Sequence, residues 1–385
     1  MSQQTRATPP LLKHLNERTV LETIRDGAPI SRAEISRRAG ISKPTVSLAL
    51  QSLVDSGLVR EAENGPEGPS YGAVYFEPVP EAALVLGLDL GARFLRGAVC
   101  DLSGRVRARQ DVELSEGGAA VALEAVEELC AGLVEATGLE RRLVDVVLAG
   151  VPGVVEGSVV RLAENVPGLE GMPFAEELRG RLDLPVVLEN DINLAAVGER
   201  WRGAARGVDD FVFLSVGTGM GAGLVLGGEL HRGRNGAAGE IDFALGDGGE
   251  ASDPSAPAVS ALAAELAEKN GDTTLRAPYD ARAVFGAARS GDEVATAVVE
   301  ECARRIALHI APIAAVADVE LVVLGGGLGA NGDLLLAPVR NHLAEWLPFP
   351  PRVEVSTLGD AAVLTGALAV GLRSARDNVF AKRRG

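Results

Sequence analysis

The sequence has little cysteine and few aromatic residues, and each scarcity excludes a class of structure. Three cysteines among 385 residues, Cys100, Cys130 and Cys302, are too few and too widely spaced for a disulfide framework. Aromatic residues make up only 4% of the chain, so Val, Leu and Ala must build the core. The sequence shows no apolar run of membrane-spanning length and no N-terminal signal pattern. We therefore expect a cytoplasmic protein without a membrane partner.

Histidine is also scarce, and this bears on metal binding. The four histidines, like the three cysteines, lie far apart: His14, His231, His309 and His342. Tetrahedral zinc requires thiolate or imidazole ligands at close sequence spacing. The sequence therefore predicts no zinc site, and we assign no residue as a metal ligand.

Charge is distributed unevenly along the chain. Residues 1–60 contain nine Lys and Arg against five Asp and Glu, whereas the whole chain has a net charge of −16. A basic segment on an acidic body is what attraction to DNA phosphates requires. The acidic body would also reduce non-specific binding to DNA. The charge pattern thus favours a small DNA-binding module at the N-terminus.

Residues 31–57 predict two short helices joined by a tight turn. Ser31 followed by Glu34 forms a capping box, and Gly40 can adopt the left-handed conformation that ends a helix. Ser42 can cap the second helix, whose apolar residues recur at i, i+3, i+4 and i+7. This arrangement is typical of a helix-turn-helix, although a helical hairpin used only for packing is the alternative.

The flanking segments complete a winged helix-turn-helix. A helix over about 10–26 precedes the pair, and two short strands follow it near Arg60 and Tyr75, with a turn expected at Asn64-Gly65. The second helix exposes donors and acceptors that suit the DNA major groove. The candidate DNA-binding residues are Ser42, Lys43, Thr45, Ser47, Gln51 and, in the wing, Arg60.

From about residue 83 the chain alternates buried strands, glycine-rich turns and amphipathic helices, which predicts an α/β fold. Four glycine turns follow apolar strands, at 87–91, 150–153, 217–223 and 325–327. Backbone N–H groups in such turns can cradle phosphate, although an isolated glycine turn usually serves geometry alone. Asp89, at the first turn, could hold a hydrated magnesium ion.

A polar cluster, Glu189-Asn190-Asp191, directly follows an apolar strand. The cluster therefore lies at the C-terminal end of that strand, where ligand sites in α/β folds gather. Asp191 could accept the proton of a sugar hydroxyl as a general base, and Asn190 could bind a neighbouring hydroxyl. The alternative is that the Asn-Asp pair only caps the next helix.

In their order and spacing, these motifs over 83–372 resemble the ROK family (repressor, open reading frame, kinase). The segments 236–240 and 359–362 belong to the same pattern. The resemblance implies a two-lobed actin/hexokinase-like (ribonuclease H-like) domain, with a mixed sheet and helices in each lobe and a sugar in the cleft between them. With its winged helix-turn-helix, the whole chain resembles the family's regulators of sugar-utilisation genes.

The resemblance also implies roles for individual residues. The sugar-contacting positions would be Asn165, Asn190, Asp191 and Glu240, with Asp191 as the catalytic base where kinase activity exists. The phosphate-side positions would be Asp89, Gly91, Thr218 and Gly219.

The chain departs from the family pattern at two places. The family usually has a histidine and then a zinc-binding cysteine cluster after its glycine-glutamate segment. Here Phe243 occupies the histidine position, and 244–257 contains neither Cys nor His. Arg93 stands where the kinases usually have threonine, and its bulk would change how a triphosphate sits. We therefore expect no zinc and one sugar contact fewer, and binding of ATP with magnesium is in question.

Two functions of different classes fit these features. The first is a DNA-binding repressor of carbohydrate-utilisation genes, controlled by a sugar or sugar derivative in a kinase-like cleft that has no turnover. The second is an ATP-dependent sugar kinase, and a regulator that has lost ligand binding is a third possibility. The helix-turn-helix favours the first, and the departures count against the second.

The first function implies a domain organisation and a set of partners. We predict a DNA-binding domain with its linker over 1–80, a ligand-sensing and oligomerisation domain over 81–375, and a basic tail over 376–385, whose last residues, 381–385, we expect to be solvated. A homodimer or homotetramer would place recognition helices about 34–36 Å apart, or a multiple of it, on double-stranded DNA with an inverted-repeat operator. The effector would be a sugar or phosphosugar.

Overall fold

The computed structural model describes residues 9–65, 73–115, 117–163, 165–241, 252–270 and 272–382. The helices are α1 (Pro9–Gly27), α2 (Arg32–Ala39), α3 (Lys43–Asp55), α4 (Gly118–Thr137), α5 (Phe174–Leu182), α6 (Asp191–Arg202), α7 (Ala256–Asn270), α8 (Ala281–Arg289), α9 (Glu293–Ala317), α10 (Gly326–Gly329), α11 (Gly332–Trp346) and α12 (Ala362–Lys382). The strands are β1 (Ile30–Ser31), β2 (Val59–Glu61), β3 (Tyr75–Pro78), β4 (Leu84–Leu90), β5 (Phe94–Asp101), β6 (Val106–Glu113), β7 (Val144–Val151), β8 (Val154–Glu156), β9 (Val159–Arg161), β10 (Val186–Asn190), β11 (Phe211–Val216), β12 (Met220–Leu226), β13 (Glu229–His231), β14 (Leu321–Gly325) and β15 (Arg352–Val355). Within these ranges no helix combines the length and apolar character needed to cross a membrane.

Helices α1 to α3 and a small sheet form the predicted winged helix-turn-helix. Ser31 caps α2, because its side-chain oxygen accepts the Glu34 N–H at 3.3 Å, and Gly40 ends that helix with a φ of 67°. Ser42 caps α3 in the same way and accepts the Thr45 N–H at 3.4 Å. The predicted apolar stripe of α3 is buried: Val46, Ala49, Leu50 and Leu53.

The wing differs from the expectation at its turn. Strand β3 lies between β1 and β2, so the sheet has the order β1-β3-β2. The Ala62 N–H donates to the Tyr75 carbonyl at 2.9 Å. The prediction of a turn at Asn64-Gly65 was therefore wrong, because Ala62 pairs with Tyr75, whereas a two-residue turn at Asn64-Gly65 would pair Ala62 with residue 67. The middle of this connection, 66–72, lies outside the described residues.

Two five-stranded mixed sheets form the two lobes of the predicted fold. The first has the order β10-β7-β4-β5-β6, and the second has the order β13-β12-β11-β14-β15. In each lobe an antiparallel meander continues into parallel strands. Helices α4 and α5 share a core with the first sheet, and α7, α8, α9 and α11 share a core with the second. The two-lobed prediction is confirmed.

Helices α6 and α12 cross each other at very short range. The crossing depends on two glycines, Gly198 in α6 and Gly366 in α12. A Cβ atom at Gly366 would lie closer than 3.0 Å to the Leu194 backbone, and one at Gly198 would meet the Ala362 carbonyl oxygen in the same way. Glycine therefore permits an approach of the two backbones that any side chain would prevent.

A continuous apolar core joins the winged helix-turn-helix to the body. One buried cluster contains residues from α1, from the first sheet and from α12, among them Val20, Leu21, Ile24, Val85, Cys100, Leu368 and Phe380. An ion pair of 2.6 Å between Arg18 on α1 and Asp377 on α12 adds to this contact. Strand β3 ends at Pro78 and β4 begins at Leu84. The division at residue 80 thus falls between these strands, and it stays a prediction because the core is shared.

The predicted basic tail is helical over most of its length. Helix α12 continues to Lys382, and Val379 and Phe380 are each only 5% exposed. Lys382 also forms an ion pair of 2.8 Å with the buried Asp145. The boundary predicted at residue 376 therefore divides a helix, because the apolar positions of 376–380 extend the buried stripe of α12. Ala381 and Lys382, the described part of the solvated end, are exposed. Residues 383–385 lie outside the described part of the chain.

Candidate functional site

Helix α3 carries most of the residues predicted to contact DNA. Ser42, Lys43 and Gln51 are exposed, whereas Thr45 and Ser47 are half-buried. Short-range hydrogen bonds order this face, since the Ser42 and Thr45 hydroxyl oxygens lie 2.8 Å apart. Gln51 donates to a carboxylate one turn later in the helix at 2.8 Å. The face therefore presents preorganised polar groups at the N-terminal part of the recognition helix.

Two residues of this face were not predicted from the sequence. Arg32, at the start of α2, donates to the Ser47 hydroxyl at 3.1 Å and thus adds a positive charge beside α3. Leu48 is 72% exposed in the middle of α3, where an apolar side chain can contact a thymine methyl group. The exposure of Leu48 could have been predicted, because Leu48 lies outside the apolar i, i+3, i+4 stripe of α3. Arg32 has no comparable local signal.

Arg60 lies on the wing, as predicted, but acidic side chains already engage it. Its Nε donates to Glu77 at 2.7 Å, and Glu81 lies 3.9 Å from the same guanidinium. A DNA phosphate would have to displace these carboxylates. Arg60 is therefore a weaker DNA-binding candidate than Lys43.

The cleft of the body begins at the C-terminal ends of neighbouring parallel strands. Gly150 on β7 is the register partner of both Asp89 on β4 and Glu189 on β10. The two acidic residues therefore flank Gly150 at one edge of the first sheet. This edge is where ligand sites of α/β folds form.

Asn190 and Asp191 stand at the junction of β10 and α6. The Asn190 side-chain oxygen Oδ1 accepts the Asn193 N–H at 2.8 Å, and its side-chain Nδ2 donates to the Gly153 carbonyl at 2.9 Å. Asn190 therefore caps α6, as the alternative interpretation predicted. Its second amide hydrogen can still donate to a ligand. The half-buried Asp191 carboxylate accepts the Ile192 N–H at 2.8 Å.

Three carboxylates come together around Asp191. Burial, together with the negative charges of Asp89 and Glu240, raises the pKa of Asp191 to about 7. Burial also raises the pKa of Asp89 to about 6, although the neighbouring Arg96 acts in the opposite direction. Carboxyl groups with raised pKa values in a cleft are typical of ligand-binding and catalytic sites. Such groups accept hydrogen bonds from the hydroxyls of a neutral polyol.

The contact between Asp89 and Arg96 was not predicted from the sequence. The Arg96 guanidinium lies 3.1 Å from the Asp89 carboxylate and 3.8 Å from both Asp111 and Asp360. A fixed positive charge therefore lies where the sequence suggested a hydrated magnesium ion, which requires oxygen ligands. Arg93 is directed elsewhere, since it lies 3.6 Å from Glu113 at the exposed edge. The residues at Asp89 do not fit a magnesium ion.

Glu240 reaches the cleft from the second lobe. Its segment is attached to β12, because the Ala222 N–H donates to the Gly239 carbonyl at 2.9 Å. Arg232, which follows β13, donates to Glu189 of the first lobe at 2.6 Å. This ion pair bridges the two lobes beside the carboxylates. Arg232 was not predicted from the sequence, because it belongs to no local motif.

The remaining candidates lie on turns around the cleft. Asn165 is exposed in the connection that follows β9. Gly91 lies in the β4–β5 turn, where its N–H donates to the Phe94 carbonyl at 2.9 Å. Thr218 and Gly219 form the exposed β11–β12 turn of the second lobe. The structure thus groups Asp89, Asp191 and Glu240, while the roles of the turn residues stay predictions.

Helix α9 holds residues 252 and 253, which follow the segment where the family usually has its zinc-binding cysteines. Residues 242–251, which include Phe243 at the family's histidine position, lie outside the described residues. After this gap, His309 Nε2 lies 3.2 Å from the Ser252 carbonyl oxygen, and Arg305 donates to the next carbonyl at 2.9 Å. Among the side chains that the structure describes, no group of three His, Cys, Asp or Glu could hold a metal ion.

Asp191→Asn is expected to raise the free energy of unfolding at pH 8 but not near pH 4. The pKa of Asp191 is about 7 in the folded protein against an ordinary value of 3.8. The folded state therefore binds more protons than the unfolded chain between these values, and stability falls as pH rises through this range. At pH 8 the free energy of unfolding of Asp191→Asn should exceed that of the parent protein by at least about 1.4 kcal/mol, which is the equivalent of one pKa unit.

Thermal unfolding at both pH values measures this effect. The control is Asp272→Asn, which removes the same charge from an exposed position. Equal shifts in Tm for the two variants at pH 8 would contradict the expectation.

Comparison with known proteins gives matches to both parts of the chain. The ROK family model matches residues 85–373, and the MarR family model matches residues 14–68. A putative xylose repressor from Caldicellulosiruptor sp. (strain Rt8B.4) is 29% identical and covers 94% of this chain and 96% of its own length. A glucokinase from Halalkalibacterium halodurans is 30% identical and covers 74% of this chain and 94% of its own length.

A solved structure shares the fold over nearly the whole chain. It is a ROK family transcriptional regulator described as a homologue of the E. coli MLC protein, with a TM-score of 0.78 and 22% identity. The alignment covers 97% of this chain and 98% of that chain. The chain therefore belongs to the ROK family and carries a MarR-type winged helix at its N-terminus.

Proposed function

We propose that the protein is a cytoplasmic, sequence-specific DNA-binding repressor of carbohydrate-utilisation genes, controlled by a sugar in the cleft of its body. The observation that carries this proposal is the core shared by α1, the first sheet and α12. Through this core, a ligand that changes the lobes would also move the recognition helix. The likeness to proteins named as xylose repressors over nearly the full chain supports the same function.

The chemistry of the cleft favours a neutral sugar as the effector. Asp89, Asp191 and Glu240 place negative charge around one point, which would repel the phosphate of a phosphosugar. Neutral hydroxyl groups can instead donate to these carboxylates, and the amide of Asn190 can bind a further hydroxyl. Xylose is the first candidate, because it is the sugar in the names of the full-length relatives.

We infer that the body binds its sugar without phosphorylating it. Magnesium would need the Asp89 carboxylate, and Arg96 already pairs with it. The alternative is a sugar kinase, which the presence of Asp191 and the likeness to glucokinases support. Repression requires no turnover, since a ligand shifts DNA affinity through its different affinities for two conformations.

The partners follow from the same proposal. Two subunits of a homodimer or homotetramer would present two α3 helices to successive major grooves of an inverted-repeat operator. Ser42, Lys43, Thr45, Ser47 and Gln51 would contact the DNA, together with Arg32 and Leu48.

The experiment combines three measurements on the full-length protein. Thermal shift with xylose, glucose and their phosphates identifies the effector, and a neutral sugar at a hundredfold excess over its Kd should stabilise the protein by about 2.7 kcal/mol. DNA enriched from a random pool should then be released by that sugar in a gel shift. Coupled ADP detection with magnesium should show no turnover.

Two outcomes would overturn the proposal. Sustained ADP release that Asp191→Asn abolishes would make the protein a kinase. Operator binding that no stabilising sugar changes would leave the cleft without a regulatory role. The matched control for sugar binding is Asp272→Asn, which should keep the stabilisation that Asp191→Asn loses.

A further inference from the structure

A second cavity lies between the winged helix-turn-helix and the body. Its volume is about 900 Å³, and α1, α6, α12 and the β12–β13 hairpin form its walls. Helix α6 begins with Asp191 in the sugar cleft, and Val197, Arg200 and Trp201 of the same helix line this cavity. At about 1.5 Å per residue, Trp201 lies roughly 15 Å from Asp191 along the helix axis. Arg232, which pairs with Glu189 beside the sugar cleft, lines the cavity as well. The proposed function makes no use of this cavity.

Arginine dominates the charged lining of the cavity. Seven arginines and four carboxylates line it. Four of these arginines have acidic partners in the structure, as Arg18 has in Asp377 at 2.6 Å and Arg200 has in Asp209 at 2.7 Å. Among the described residues, the other three form no ion pair: Arg25, Arg206 and Arg376. The cavity therefore holds an excess of positive charge.

Arg25 on α1 and Arg376 on α12 are close enough for their positive charges to repel each other. The Arg376 guanidinium is fixed, since its Nη2 and Nε donate to the Leu102 carbonyl at 2.8 and 3.1 Å. Burial and the charge of Arg376 lower the pKa of Arg25 to about 10. Glu22 and Asp377 offset this repulsion only in part, because Arg18 engages both of them.

Two further features make the cavity suitable for a small molecule. Arg200 lines it, and within the described structure its buried Nε has no hydrogen-bond acceptor. Trp201, Val197 and Leu230 supply apolar surface to the same cavity. One face of the Trp201 ring is covered by the Arg202 guanidinium at 3.9 Å, which orients the indole. Cationic groups beside an oriented aromatic ring suit an anion that carries a carbon skeleton.

We propose that this cavity binds a small organic phosphate, with the phosphate between Arg25 and Arg376 and the carbon skeleton against Trp201. Guanidinium groups bind phosphate through short, charge-assisted and often bidentate hydrogen bonds. The volume lies within the range of about 300–1,000 Å³ that small-molecule sites occupy. A phosphate here would offset the repulsion between Arg25 on α1 and Arg376 on α12.

The position of this site gives it a regulatory consequence. Arg25 belongs to the DNA-binding domain and Arg376 to the body, so an occupied cavity ties the two together. Arg200 and Trp201 belong to the helix whose first turn carries Asp191. Binding in the cavity and binding in the sugar cleft would therefore affect each other by the same factor.

Tryptophan fluorescence provides a direct test on the full-length protein. The chain has two tryptophans, and Trp346 lies at the end of α11, stacked on His342 at 5.2 Å. Trp346→Phe therefore leaves Trp201 as the only indole reporter. Inorganic phosphate, ribose 5-phosphate and AMP are the probes, and we expect a saturable fluorescence change that is tightest for one of the two organic phosphates.

Variants assign the signal to the cavity. In the Trp346→Phe background, Arg25→Gln should weaken binding by about tenfold or more, because a hydrogen bond to a charged group is lost. Arg142→Gln is the matched control, since this exposed arginine pairs with Glu140 in another part of the body. Asp191→Asn should leave phosphate binding measurable, because Arg25 and Arg376, the proposed phosphate contacts, lie outside the sugar cleft. Calorimetry of the unaltered protein gives the same comparison without the Trp346 substitution.

The outcomes separate the sources of the phosphate and decide the proposal. Tighter binding of ribose 5-phosphate indicates a phosphosugar, whereas tighter binding of AMP indicates a nucleotide. Equal affinities of Arg25→Gln and Arg142→Gln for the probes would overturn the proposal. The absence of saturable binding for all three probes, or its loss in Asp191→Asn, would overturn it as well.

Discussion

Gly366→Ala is expected to lower the free energy of unfolding by about 3 kcal/mol, because the added methyl group would collide with the Leu194 backbone of α6. The two helices cannot separate without loss, since α12 also packs on the first sheet and α6 packs on the second. The displaced α6 would carry Asp191 with it, so sugar binding should weaken too. Urea unfolding followed by circular dichroism measures the change in stability.

The matched control is Gly286→Ala in α8. No atom lies within 4 Å of a Cβ atom built at Gly286. Alanine in a helix interior is more stable than glycine by roughly 0.5–1 kcal/mol, so this variant should be slightly more stable than the parent protein. Equal stabilities of the two variants would show that the crossing of α6 and α12 tolerates a side chain.

Arg32→Ala combined with Lys43→Ala is expected to weaken operator binding by about a hundredfold, because two charged hydrogen bonds to DNA are lost. If both contact phosphate, the slope of log affinity against log salt should also fall by about two. Arg60→Ala should have a smaller effect, since Glu77 already engages that guanidinium. A gel-shift series at several salt concentrations measures affinity and slope together.

A second double variant controls for the loss of two positive charges. Arg142→Ala combined with Lys269→Ala removes an arginine and a lysine from exposed, ion-paired positions of the body. It should bind the operator as the parent protein does. Equal weakening in both double variants would mean that net charge, and not the α2–α3 face, determines DNA affinity.

The features that the sequence predicted well are those with a local cause. Ser31, Gly40 and Ser42 define helix ends through groups at most a few residues away, and the structure has all three in these roles. Asn190 shows the limit of such signals, because one residue type serves both as a helix cap and as a ligand group. The structure shows the cap, and the ligand role stays a prediction.

The features that the sequence analysis missed depend on contacts between distant segments. Arg232 meets Glu189 across 43 positions, through the approach of two lobes that no local motif encodes. Arg96 was within reach of sequence reasoning, because a β4–β5 hairpin turning at Gly91 places it opposite Asp89. The basic residues at the C-terminus suggested a separate tail, but Val379 and Phe380 continue the apolar spacing of α12, and the helix extends to Lys382.

The core that α1 shares with the body prevents the DNA-binding domain from rotating independently of the body. A domain on a flexible linker could follow a half-site that one inserted base pair rotates by roughly 34–36° about the DNA axis. Here Val20 and Ile24 are fully buried in the same cluster as Val85 and Phe380, so α1 cannot turn without exposing this apolar surface. In the proposed homodimer, the operator would therefore have to match the phase that the two bodies impose, and the distance between half-sites would be recognised as strictly as their bases.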